Sequence, residues 1–164
     1  MAELTNLETK LGEVLGLAMA AQGATEKVKA LDEIDGDLAK ALERMHEEAK
    51  QAEARATDVA GSFEGKKTAI LEEAREVKKK ATEMMQDYLD SDSDALDGFE
   101  FLTMAEAGEV GHWEILKTLN ERARDSGVQE LVEWGIPIQQ RHLETVRKAS
   151  LELASEEDPN ETSS

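Results

Sequence analysis

Apolar residues recur three and four positions apart along most of this chain, the spacing that puts them on one face of an α-helix. Leu4, Leu7, Leu11, Val14, Ala18, Ala21 and Val28 form the first stripe, and Thr5-x-x-Glu8 reads as a capping box at its start. Gly12, Gly16 and Gly23 weaken this helix but let a neighbour approach closely. Asp32 to Gly36 reads as a turn, with Asp35 the cap of the second helix. The second stripe is Leu38, Leu42, Met45, Ala49, Ala52, Ala56 and Val59, ending at Gly61-Ser62. A third, through Ile70, Ala74, Val77, Ala81, Met84 and Tyr88, is heavily charged elsewhere, so one side faces water.

Asp90-Ser91-Asp92-Ser93-Asp94 is a loop dense in caps. A fourth helix runs from about Ala95 to Ala123, with Phe101, Ala105, Gly108, His112, Ile115 and Leu119 as its inward stripe. Ser126-x-x-Gln129 reads as the cap of the fifth, which presents Leu131, Ile138, His142 and Ala149 on one side and is bent by Pro137. No strand pattern is present. Five helices and short turns predict an all-α antiparallel bundle, four core helices plus one extra between the second and the last pair. Residues 1–154 form this single domain, and 155–164 an acidic, disordered tail.

Charge changes the picture of partners. Acidic residues number 37 against 19 basic, a net charge of −18. Such a surface repels phosphate backbones and anionic lipid, so neither nucleic acid nor membrane is the expected partner. Aromatics are 4% of the chain, so the core is aliphatic and alanine-rich. The absence of cysteine excludes disulfides, thiolate metal sites and cysteine nucleophiles. No stretch approaches the roughly 18 apolar residues of a membrane span, and the start lacks a secretory pattern; a cytoplasmic protein is the expectation. No Gly-x-Ser-x-Gly turn, phosphate-binding loop or dinucleotide fingerprint occurs.

The chemistry that stands out is histidine. The chain has three, each on a different predicted helix with a carboxylate or amide three residues earlier: Glu43/His46, Glu109/His112 and Gln139/His142. Residues three apart share a helix face, so a Glu-x-x-His pair aims an oxygen and an imidazole nitrogen at one ion. His112 and His142 lie on apolar stripes of helices joined by a short turn, which makes Glu109, His112 and His142 the leading ligand candidates and Glu106 a further one; partly buried histidines each satisfied by a neighbouring carboxylate are the equal alternative. His46 and Glu43 flank the second stripe among other charges, where a solvated face explains them as well. Trp113, Trp134 and Met84-Met85 read as packing, with Met84-Met85 an oligomer contact if the third helix lies outside.

From Leu17 to Ala154 the chain resembles the ferritin-like stress proteins of the YciE/YciF type. The resemblance rests on Leu42-Glu43-Arg44-Met45-His46-Glu47-Glu48, on Gly65-Lys66-Lys67, and on Val110-Gly111-His112-Trp113-Glu114-Ile115. The family typically reads Glu-His-Tyr-Glu at the last of these, so His112, Trp113 and Glu114 match in kind and Gly111 does not. It implies a ferritin-like four-helix bundle holding divalent metal (iron, manganese or zinc); the apolar or Met-bearing helix faces predict a homo-oligomer. The departures are systematic. Ala21 or Gln22 stands where the family has a first-helix glutamate, Ala49-Lys50 replaces a Glu-Thr, and Gln139-Gln140 replaces paired acids. The resemblance thus implies a metal site that is reduced or altered, with no catalytic residue assigned. The alternative is a metal-free bundle serving as an interaction or assembly module, its acidic surface and tail meeting a basic protein partner.

Overall fold

A computed structural model describes residues 2–162 and contains five helices. They are α1 (Asn6–Lys29), α2 (Gly36–Gly61), α3 (Lys67–Tyr88), α4 (Ala95–Ala123) and α5 (Ser126–Ser155). No strand occurs among the described residues, and no described helix is long and apolar enough to cross a membrane. The all-α bundle and its element order agree closely with the hydrophobic pattern.

Directions are set by side-chain partners. Gln22 meets Glu53 and Lys29 meets Glu43, so α2 runs antiparallel to α1. Lys10 meets His112 while Gly98 lies against Val28, so α4 is also antiparallel to α1. Glu109 faces Gln139 and Thr103 faces Ser150, making α5 antiparallel to α4. Glu48 meets Arg141, and Gly127 lies by Val59, which closes α5 against α2. The helices α1, α2, α5 and α4 thus form a ring of antiparallel neighbours. Helix α3 lies outside it, parallel to α1, because Gly12 faces Ile70 and Glu73 while Gly16 faces Ala74 and Val77. A β-carbon on Gly16 would stand 2.4 Å from the Ala74 carbonyl oxygen, so only glycine lets the two backbones meet there.

The helix ends are fixed locally. Thr5 and Glu8 make the expected capping box on α1, and Asp94 with Asp97 makes another on α4. The α4–α5 turn departs from the sequence reading. Asp125, not Ser126, caps α5 by accepting from the Val128 amide, since Ser126 already belongs to the helix. Buried Asn120 donates to the Asp125 carbonyl and accepts from the Asp125 amide, while Arg124 takes the left-handed conformation that ends α4. Asp35 stands at the N-cap of α2 but makes no side-chain cap hydrogen bond. Helix α5 continues through Pro137 to Ser155.

The inward face of α4 is the main correction. Phe101 is buried as predicted, but beyond it the stripe is offset by one residue: Glu106, Glu109, Trp113, Leu116 and Asn120 are buried, each immediately after a predicted position. Ile115 is 48% exposed and Gly108 faces solvent. Phe99, Leu102, Trp113 and Leu116 bury more apolar area on this face than the alternative stripe offers, and area decides the rotation. The same rotation carries Glu106 and Glu109 inside.

Ser155 is the last residue of α5, and residues 156–162 are exposed, hydrogen-bonded only to near neighbours in the chain. Ser163 and Ser164, assigned to the same tail, lie outside the described residues. Truncation after Ser155 is expected to leave the melting temperature within about 1 °C, because no buried contact is lost. A thermal melt of the truncated chain checks this, and a drop of several degrees would show that the tail docks.

Candidate functional site

The apolar core comes in two pieces. One contains Leu11, Val14, Leu15, Ala52, Ala56, Ile70, Trp113, Leu116 and Leu131; the other contains Val28, Leu42, Met45, Phe99, Leu102 and Val146. Between them, at mid-height, the ring of helices carries a polar layer. Helices α4 and α5 contribute Glu106, Glu109, Gln139 and His142, all buried. Helices α1 and α2 contribute Gln22, Thr25, His46, Glu48 and Glu53.

The register of α4 on α5 sets the first group. Trp113 packs against Gly135, where a β-carbon would come within 2.3 Å of the ring, so glycine seats the indole. One turn along α4, Glu109 Oε2 accepts from Gln139 Nε2 at 2.6 Å. One turn further, Glu106 Oε2 faces His142 Nδ1 at 3.8 Å. That is too long for a hydrogen bond, and Glu106 Oε2 has no other partner. Trp113 Nε1 and Gln139 Oε1 are likewise buried without partners.

The far side of the His142 ring is anchored. Nε2 donates to Glu48 Oε1 at 3.1 Å, and Arg141 holds the same carboxylate with two hydrogen bonds of 2.8 and 2.5 Å. With its proton on Nε2, the neutral ring presents the Nδ1 lone pair to Glu106. Burial pushes the His142 pKa down, opposed by Glu48, so the neutral ring is the favoured form. Burial pushes Glu106 up to about 8. It pushes Glu109 well above the ordinary range too, with the Glu106 charge adding to the rise and the Gln139 hydrogen bond opposing it. Two acids are buried with no lysine or arginine bonded to either.

These directions fix the pH dependence of the metal-free chain. Each buried carboxyl keeps, when folded, a proton that the unfolded chain releases above its ordinary value of 4.5. Stability therefore falls as pH rises from that value through the folded one. His142 acts oppositely, and only below its ordinary value of 6.5, where the unfolded ring takes a proton that the folded ring refuses. Between about pH 6.5 and 8 the carboxyls dominate, each contributing a loss of up to about 1.4 kcal/mol per pH unit. Urea unfolding in chelator at several pH values checks this. Glu106→Gln should flatten the slope, and equal slopes in both proteins would contradict the assignment.

The structure brings together three of the six residues with ligand spacing: Glu106, Glu109 and His142. The other three lie elsewhere. His112 is six residues, about 9 Å, along α4 from Glu106, with Nδ1 3.2 Å from Lys10 Nζ and 3.4 Å from Glu13 on α1. His46 is held at Nδ1 by the Gln22 carbonyl at 3.1 Å and Thr25 Oγ1 at 3.2 Å. Glu43 is exposed and paired with Lys29 at 2.6 Å, which holds its carboxyl below the usual range. Among the described residues no three His, Asp or Glu side chains converge closely enough, as they stand, to hold an ion.

Sequence reasoning misses Glu48 and Arg141. Glu48 reads as one more charge on a solvated face, paired with Arg44 one turn earlier, whereas Arg141 and His142 are more than ninety residues away. One signal is available: Glu48 lies between Met45 and Ala52 at seam spacing, so its base borders the core. The amides Gln22 and Gln139 each hold a glutamate, Glu53 and Glu109 respectively. Compared with protein-family models, curated proteins and solved structures, the chain matches none of them.

Proposed function

We propose that the chain is a ferritin-like bundle binding one divalent cation in its polar layer, with Glu106 and His142 as ligands and Glu109 as the third. The observation that carries this reading is the unpartnered Glu106 Oε2 facing His142 Nδ1 at 3.8 Å. Two ligands of one ion, each about 2.1 Å from it, stand at most about 4 Å apart. Glu48 supports the reading, because a metal-bound histidine commonly donates its other ring proton to a carboxylate. So do the chain directions: α3 makes a helical crossover between two antiparallel pairs, the connection found in ferritin-like folds.

A structural bundle gains nothing by dividing its core with two acids that must stay protonated, since apolar side chains of the same size would be more stable there. A divalent cation supplies the missing positive charge. Glu109, now held by Gln139, would be the third protein ligand, so that two helices would supply all three. The amides Gln22 and Gln139 stand where a second ion would need carboxylates, so the proposal is a mononuclear site without oxidase turnover. Elemental analysis after separate loading with iron, manganese and zinc tests it. One retained ion per chain supports the proposal. No retained ion under any loading would favour a metal-free interaction module.

A further inference from the structure

Helix α4 carries a second apolar stripe, and it faces outward. Met104, Gly108, Gly111 and Ile115 follow one another at the four- and three-residue steps of one helix face, opposite the buried stripe of Glu106, Glu109, Trp113 and Leu116. Met104 is 42% and Ile115 48% exposed. No charge falls on this face from Met104 to Thr118, in a chain of which 34% is charged. A helix that is apolar on both sides is ordinarily covered on both. The glycines point the same way. A β-carbon on Gly108 or Gly111 would meet nothing within 4 Å, so no contact inside the chain requires glycine there. Each weakens the helix relative to alanine, and each lets another backbone come close.

The ends of the stripe select what covers it. Asp97 and Glu100 precede Met104 and Arg122 follows Ile115, all three exposed and on the same face. Reversed about the midpoint between Glu109 and Val110, the stripe matches itself. Met104 falls opposite Ile115, Gly108 opposite Gly111, and Asp97 opposite Arg122, with Glu100 one turn away. A basic partner would meet a like charge at Arg122, and a neutral one would leave the charges at both ends unpaired. We propose that α4 packs antiparallel against α4 of a second copy of this chain, across a two-fold axis that passes between Gly108 and Gly111. The glycines bring the two backbones together, and Met104 of each copy covers Ile115 of the other. Arg122 closes each end on the acids of the opposite copy. Met84 on α3 stands beside Met104 and widens the apolar patch. The cation reading plays no part in this arrangement, so either can fail alone.

Sedimentation equilibrium of the full-length chain tests it. In about 0.15 M salt, where repulsion between the acidic surfaces is screened beyond roughly 8 Å, a monomer–dimer equilibrium is expected. Gly111→Leu should weaken the dimer at least about tenfold. Its melting temperature, taken at dilutions where parent and variant are both monomeric, should stay level or rise, because leucine favours helix and the new β-carbon meets nothing in its own chain. Arg122→Glu should weaken self-association about tenfold, since the symmetry repeats each like-charge contact twice, and Glu100→Arg should weaken it in the same direction. An equal mixture of these two variants should associate more tightly than either alone, because every mixed dimer again sets opposite charges against each other at both ends. A chain that stays monomeric up to about 1 mM would overturn the proposal. So would a dimer indifferent to Gly111→Leu, which would place the contact on another face. A mixture no tighter than its separate components would exclude the antiparallel register.

Discussion

Gly16→Ala is expected to destabilise the protein by about 2 kcal/mol, whereas Gly23→Ala on the same helix should stabilise it by up to about 1 kcal/mol. Both changes bring the same gain in helix propensity, so the difference isolates packing. At Gly16 the new β-carbon would lie 2.4 Å from the Ala74 carbonyl oxygen and 2.8 Å from Val77 Cβ. The first of these is backbone, which cannot rotate away, so α3 must shift bodily off α1. At Gly23 nothing lies within 4 Å. For a chain of this size the Gly16 change corresponds to a fall of roughly 4–8 °C in melting temperature. Paired thermal melts decide it: two shifts of the same sign would mean that α3 does not rest on α1 as described.

The same glycines show how much the sequence tells. Gly12 and Gly16 mark α1 as a surface that another backbone approaches, and α3 does approach there. Nothing local says which helix comes, because that choice depends on residues about sixty positions away. Helix positions, the α1 capping box and the solvated lysines of α3 are all legible from period and cap chemistry. The rotation of α4 is not. Its two candidate stripes differ by one residue, both contain apolar side chains, and the choice rests on tertiary burial of Trp113, Leu116 and Leu102. That one-residue rotation reverses the roles of His112 and Glu106. Pairing by i, i+3 spacing favours Glu109 with His112, yet Glu109 turns inward to Gln139 while His112 looks toward Lys10 and Glu13. The partners that define the site come from three helices, and short-range spacing carries no record of them.

His142→Ala should abolish retention of the divalent ion, and His46→Ala and His112→Ala should leave it unchanged. Only His142 has its far nitrogen fixed by a carboxylate and its near nitrogen turned toward an unpartnered oxygen. Glu48→Gln keeps the shape but weakens the hold on the ring. A fall of roughly 10–100-fold in metal affinity is expected, the usual cost of losing an orienting carboxylate. Glu106→Gln separates a ligand from a structural residue by the sign of its effects. It should remove metal binding, and with it the rise in melting temperature that loading produces. In chelator at pH 8 the same variant should be more stable than the parent protein. It replaces an acid that burial holds protonated up to about pH 8, and the amide needs no proton to stay neutral. A buried acid that binds no metal would show the same gain with and without loading. Metal retained by His142→Ala, or a Glu106→Gln variant that keeps the rise in melting temperature on loading, would refute the proposed centre.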